Sequence, residues 1–347
     1  MSIEGAAAGG GAPKVLFFSH DGKLGDAVVI TAFVAGLRAH APGCEIHATV
    51  AGVTATFWAR DARLRTLWSL ARRGWGVVLK TGLALRRERF DFIVTWRPMR
   101  SEKNRLLLWL ARPGRVVDLA EFHRAAPAHR IEACREALRQ FGVPCDGELA
   151  YDVVKARGAG IGAAPASGDA PDFNSNSANA DIVLVNLFAA DPERTIDATA
   201  GVALLAGLRR VAPEAALRLV CHGATAAAAR AVLARSDSGA SLLDCEGGLE
   251  RLFDACARAS LVVSPDTALI HLASAFDTPV IGIYQNDGIK AREWGPRSRA
   301  HAVVLAPGAD SVAGFSVEAV LRHALALRAR QPACLAPVPS AQPISPR

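Results

Sequence analysis

Asp266, Thr267 and His271 fall in the segment SPDTALIH, where a strand-like apolar run at 261–263 gives way to a helical pattern. A helix that begins there presents unpaired backbone N–H groups and a partial positive charge, and both suit a phosphate. Pro265 fixes the entry, Asp266 or Thr267 can cap, and the amides of Thr267, Ala268 and Leu269 are expected to point outward. His271 follows Thr267 by four residues and shares its helical face. Alone, His271 reads as a satisfied core histidine. Beside a threonine hydroxyl and free amides, it completes a plausible diphosphate cradle.

Two other turns carry candidate chemistry. SHDGKLGDAVVIT, residues 19–31, follows a strand-like run and opens a helix. Asp26 there has two readings: a helix N-cap, or a general base, with Gly25 letting a substrate approach the backbone. The helix dipole favours the ionised carboxylate and lowers its basicity, so a base at this place needs partial burial. In NLFAADPERTI, residues 186–196, Arg194 reads either as a solvated loop arginine or as a planar fork of donors for phosphate.

Positioning these turns requires alternating strands and helices. Strand-like runs at 15–19, 45–50, 92–95 and 115–119 alternate with helical patterns at 27–40, 102–111 and 130–141. Residues 156–180, poor in large apolar side chains, read as a flexible linker. The alternation resumes with strands at 182–187, 217–221, 261–263, 280–284 and 302–305. Helical patterns fall at 198–211, 224–235, 249–258, 268–275 and 317–328. This predicts an α/β chain of two Rossmann-like domains, 14–155 and 181–330, with parallel sheets facing across a cleft. Tails at 1–13 and 331–347 are expected to be disordered. The final helix, 317–328, is placed to pack back on the first domain.

At 347 residues, the chain is long enough for two cores. No apolar run reaches membrane-spanning length. The opening MSIEGAAAGGGAPK lacks a signal-peptide pattern, so a cytoplasmic protein is expected. The seven cysteines are scattered without a C-x-x-C pair and read as buried, reduced thiols. Neither a P-loop nor a D-x-D pair is present, and His and Cys show no zinc spacing. No metal or other cofactor is expected. Between residues 14 and 150 the chain carries 22 Lys and Arg against 13 Asp and Glu, leaving 18 basic and 20 acidic elsewhere. The basic half therefore favours an acidic ligand or surface. No recognisable module points to nucleic acid.

The three turns, in this order and separation, resemble glycosyltransferase family 9, the heptosyltransferase family of bacterial envelope glycan synthesis. VLFFSHDGKLGDAVVITAFVAGLRAHAPGCEI and EGGLERLFDACARASLVVSPDTALIHLASAFDTPVIGIY carry the resemblance most firmly. It implies a GT-B fold and an inverting, metal-independent transferase taking a heptose-like sugar from a nucleotide-sugar, expected to be ADP-linked, onto a lipopolysaccharide core or related acceptor. By position, Asp26 resembles the base and Arg194 the cation on the donor diphosphate. Asp266, Thr267, Ala268 and Leu269 resemble the donor turn, with His271 beside it. Arg97, Arg100 and Lys103 then stand where a phosphorylated, lipid-linked acceptor would be met. Residues 68–90, mixing Trp, Leu and Val with Arg and Lys, read either as an amphipathic core helix or as a contact with anionic inner-leaflet lipid. Three departures stand out. Ala268 replaces the family's glycine, Thr31-Ala32-Phe33 lacks its proline, and Thr195-Ile196 lacks its aromatic. Two alternatives share the architecture: a nucleotide-sugar epimerase, and a catalytically silent nucleotide-binding protein.

Overall fold

The computed structural model describes residues 12–18, 22–70, 74–96, 98–125, 127–153, 181–246 and 248–330. The expected linker, the C-terminal tail and nearly all of the N-terminal tail lie outside them. Pro13, assigned to that tail, is buried, and its carbonyl accepts from Glu45 N at 2.8 Å.

The first half runs β1 (Lys14–Phe18), α1 (Leu24–His40), β2 (Glu45–Val50), α2 (Val53–Trp58), β3 (Leu64–Ser69), α3 (Trp75–Glu88), β4 (Phe92–Thr95), α4 (Glu102–Ala111), β5 (Arg115–Asp118), α5 (Leu119–Ala125) and α6 (Arg130–Gln140). Its strands form one parallel sheet, ordered β3-β2-β1-β4-β5. After Lys14, β1 is the continuous apolar run VLFF because a central parallel strand is covered on both faces. Val15 and Phe17 face the core under α1 and α6, whereas Leu16 and Phe18 face α3 and α4.

The second half runs β6 (Ile182–Asn186), α7 (Ala198–Val211), β7 (Ala216–Cys221), α8 (Gly223–Ala234), β8 (Ser241–Asp244), α9 (Leu249–Arg258), β9 (Leu261–Pro265), α10 (Ala268–Ala275), β10 (Val280–Tyr284), α11 (Lys290–Trp294), β11 (His301–Leu305) and α12 (Val317–Ala329). This second parallel sheet is ordered β11-β10-β9-β6-β7-β8. Among the described residues, α12, expected to pack back on the first domain, makes its main contacts with the second. It lies against α7, β10 and β11, with Leu321 closing on Gly207, and Arg328 holds Asp181 at 2.5 Å.

α1 is apolar nearly all round, with buried residues on every side. A helix of that kind must be covered on every side. It lies between the first sheet, α6 and, across the domain boundary, α10. One apolar core therefore continues from one sheet to the other, joined by edge-on ring pairs such as Phe57–Phe253 (6.0 Å) and Trp96–Trp294 (6.1 Å). The six described cysteines are free and mostly buried, and burial pushes their thiols up, Cys44 to about 12.

Candidate functional site

The first turn enters α1 earlier than the sequence suggests. The helix starts at Leu24 with Lys23 as N-cap, so Asp26 is not the cap. It is the third helical residue, in the first turn and only 6% exposed. The burial that a base beside a helix dipole needs is therefore present. Gly25 has a different neighbour from the one expected. A Cβ there would lie 3.1 Å from His271 Cδ2 and 3.6 Å from Ala268 Cα, so the missing side chain admits α10 of the other domain.

The second turn joins β9 to α10. Thr267, not Asp266, is the N-cap, and its Oγ1 accepts from Leu269 N at 3.3 Å. The Leu269 amide is thus spent on the cap. The amides of Thr267 and Ala268 have no hydrogen-bond partner among the described residues. Thr267 Oγ1 also lies 2.9 Å from Ser264 Oγ, and Asn186 Nδ2 donates to both hydroxyls at 3.3 and 3.2 Å. Asn186 ends β6 and Ser264 lies in β9, so adjacent strands lock the turn. Neither residue stood out in the sequence beyond being a polar residue closing an apolar run.

The third turn brings Arg194 to the second. Asp191 starts a short 3-10 turn, Pro192–Arg194, by accepting from Glu193 N at 3.2 Å. From there Arg194 Nη1 donates to Asp266 O at 3.0 Å and to Asp266 Oδ2 at 3.1 Å. It is a bound arginine rather than a solvated one. Burial raises the Asp266 pKa, opposed by Arg194 and, more weakly, by Lys290. Lys290, which was not anticipated, adds a second cation at this edge.

His271 departs from the expected cradle. It is 2% exposed, with its ring 5.9 Å from Tyr151 and 5.8 Å from Trp294. Burial drives its pKa down to about 3, so the imidazole is neutral and belongs to the domain contact. His129 works beside it: Nδ1 accepts from Ile131 N at 3.2 Å, and Nε2 lies 3.0 Å from Gly295 O of the second domain. Glu293 binds His123 and Arg130 of the first domain, each at 2.9 Å.

Of the expected acceptor residues, Arg97 lies outside the described residues. Arg100 is exposed just before α4, and Lys103 Nζ sits 5.5 Å from the ring centroid of Trp75. Among the described residues, no three His, Cys, Asp or Glu side chains converge as a metal cage.

Two parallel sheets meeting through turns at their strand ends define the GT-B class. Residues 208–315 match the model of glycosyltransferase family 9 (heptosyltransferase). No curated protein sequence matches the chain. The fold is similar to that of a family 9 glycosyltransferase from Veillonella parvula DSM 2008, with 14% identity, a TM-score of 0.72, and 92% of this chain and 98% of that one covered. It is also similar to E. coli ADP-heptose lps heptosyltransferase II (17% identity, TM-score 0.65, covering 91% and 98%). A third similar structure is E. coli heptosyltransferase WaaC with ADP (18% identity, TM-score 0.68, covering 89% and 98%). Fold and family match agree on a glycosyltransferase of GT-B architecture, and the resemblance to family 9 read from the motifs is borne out.

Proposed function

We propose that this protein is an inverting glycosyltransferase moving a heptose-like sugar from an ADP-linked or other nucleotide-linked donor onto a phosphorylated, lipid-linked envelope glycan, without a bound metal. The observation that carries this reading is the contact of Gly25 with Ala268 and His271. It sets the turn bearing Asp26 against the turn bearing Thr267, from opposite domains. Asp26 takes the proton of the acceptor hydroxyl as that oxygen attacks the anomeric carbon. The bond from that carbon to the diphosphate oxygen breaks on the far side, which inverts the centre. Negative charge collects on the departing nucleoside diphosphate. Arg194, Lys290 and the amides of Thr267 and Ala268 supply the compensating donors.

Incubation of the purified chain with ADP-heptose, with and without a lipopolysaccharide-core acceptor, tests the reading. Release of ADP that depends on the acceptor is expected. Conversion of the sugar-nucleotide without any acceptor would favour an epimerase. Tight binding of ADP with no turnover on any acceptor would favour a silent nucleotide-binding protein.

A further inference from the structure

Five of the ten large apolar side chains exposed among the described residues lie on two neighbouring helices. α3 exposes Trp75 (53%), Val77, Leu79 (49%) and Leu83, and α4 exposes Trp109 (66%). These helices run side by side in the same direction. Lys103 of α4 lies over Trp75 of α3, and seven residues further along each helix Leu110 closes on Gly82. Val78, Gly82 and Leu85 turn inward and fill the core, whereas Trp75, Leu79 and Leu83, spaced by four, form a separate outward stripe. Its margins are cationic. Lys80, Arg86 and Arg87 are exposed on α3, as are Arg105 and Arg112 on either side of Trp109. The acidic residues of the two helices are Glu102 and Glu88, and Glu88 is held by Lys14 at 3.0 Å.

We propose that the α3–α4 face docks on a bilayer containing anionic lipid. Tryptophan and leucine between lysine and arginine suit the headgroup boundary, where rings partition and cations meet lipid phosphates. Nucleic acid would engage the cations and leave the apolar stripe in water. A second copy packed face to face would cover the stripe but set like charges against each other. No described helix is long and apolar enough to cross a membrane, so any membrane contact by the described residues is made by a surface. Both helices start at the carboxyl edge of the first sheet, where Phe18 and Leu70 meet Val77, Val78 and Leu107. Asp26 follows the same edge, so a docked bilayer lies beside the turn that carries it. What the bilayer delivers rests on the proposed acceptor, whereas docking itself does not.

The test is flotation of the full chain with vesicles of phosphatidylglycerol and phosphatidylethanolamine, and with phosphatidylcholine alone. A quencher placed in the acyl region reads tryptophan burial. Binding to the anionic vesicles is expected to exceed that to phosphatidylcholine by about tenfold or more and to weaken with salt. Trp75→Ser/Leu79→Ser/Trp109→Ser should abolish quenching and lower binding by about tenfold, with an unchanged melting transition. Lys80→Glu/Arg86→Glu/Arg87→Glu should remove the preference for anionic lipid. No binding at low salt, binding unaffected by both variants, or a solution dimer dissolved by the serine variant would overturn the proposal. Turnover on a water-soluble acceptor fragment, measured in parallel, separates the two readings. Vesicle binding without any transfer would leave docking standing and sink the transferase assignment.

Discussion

Arg194 grips Asp266 through one guanidinium nitrogen, which donates to both the backbone carbonyl and the carboxylate of that residue. The pair spans 72 positions of sequence and ties the loop after β6 to the turn after β9. In the proposed donor site, a phosphate at the amides of Thr267 and Ala268 would meet a cation already held in place, with little side-chain ordering left to do.

Arg194→Met should weaken ADP binding by about ten- to a hundredfold, the range for a hydrogen bond to a charged group. It should also destabilise the fold by about 1–3 kcal/mol, because the Asp266 carboxyl stays buried without its donor. Arg194→Lys should restore most of the stability but only part of the ADP affinity, since the planar fork is lost. Titration calorimetry and urea unfolding read the two effects separately. Unchanged ADP affinity in both variants would remove Arg194 from the donor site.

Asp26→Asn keeps the size of the side chain and removes its basicity. Turnover is expected to fall about a hundred- to ten-thousandfold, with ADP affinity and melting temperature nearly unchanged. A variant with wild-type turnover would show that the proton leaves by another route.

Gly25 of α1 lies against Ala268 and His271 of α10. Gly25→Ala should gain up to about 1 kcal/mol of helix propensity and lose a comparable amount against the His271 ring, leaving stability little changed. Gly25→Leu cannot be absorbed in that way. It should part the domains, increase the radius of gyration measured by X-ray scattering, and cut turnover with ADP binding retained. A compact, fully active leucine variant would mean that the α1–α10 contact is not needed for catalysis.

His129 makes the domain contact sensitive to pH. Its Nδ1 accepts and its Nε2 faces a carbonyl, so the neutral Nε2–H tautomer satisfies both. Burial lowers its pKa from 6.5 to about 4. The unfolded chain then binds the proton more readily, so stability is complete above about pH 6.5 and declines as pH falls toward 4. The loss should be about 1–2 kcal/mol between pH 6.5 and 5, with His271 adding in the same direction. Denaturation curves at several pH values check this. His129→Asn, which can still cap α6, should reduce the dependence to the part that His271 contributes and release Gly295.

Much of this architecture was legible because parallel strands buried on both faces leave an unbroken apolar signature. The run at Val280–Tyr284 and the helices Ala198–Val211 and Ala268–Ala275 fall where the pattern places them. β3 and β8, one edge strand of each sheet, escaped notice because they are half covered and lack a continuous apolar run. α11 has five residues, too few for a helical period to register.

By itself, the sequence determined two alternating α/β halves and the three strand-end turns that carry Asp26, Arg194 and Thr267. These are local properties, set by hydrophobic period, turn residues and chain order. Only the tertiary structure decided that Arg194 belongs to Asp266, that Gly25 admits a helix of the other domain, that His271 is sealed among aromatic rings, and that His129 reaches Gly295 across 166 positions. Those partnerships depend on how two folded sheets pack against each other, and side chains distant along the chain leave no periodic trace of the surface they will meet.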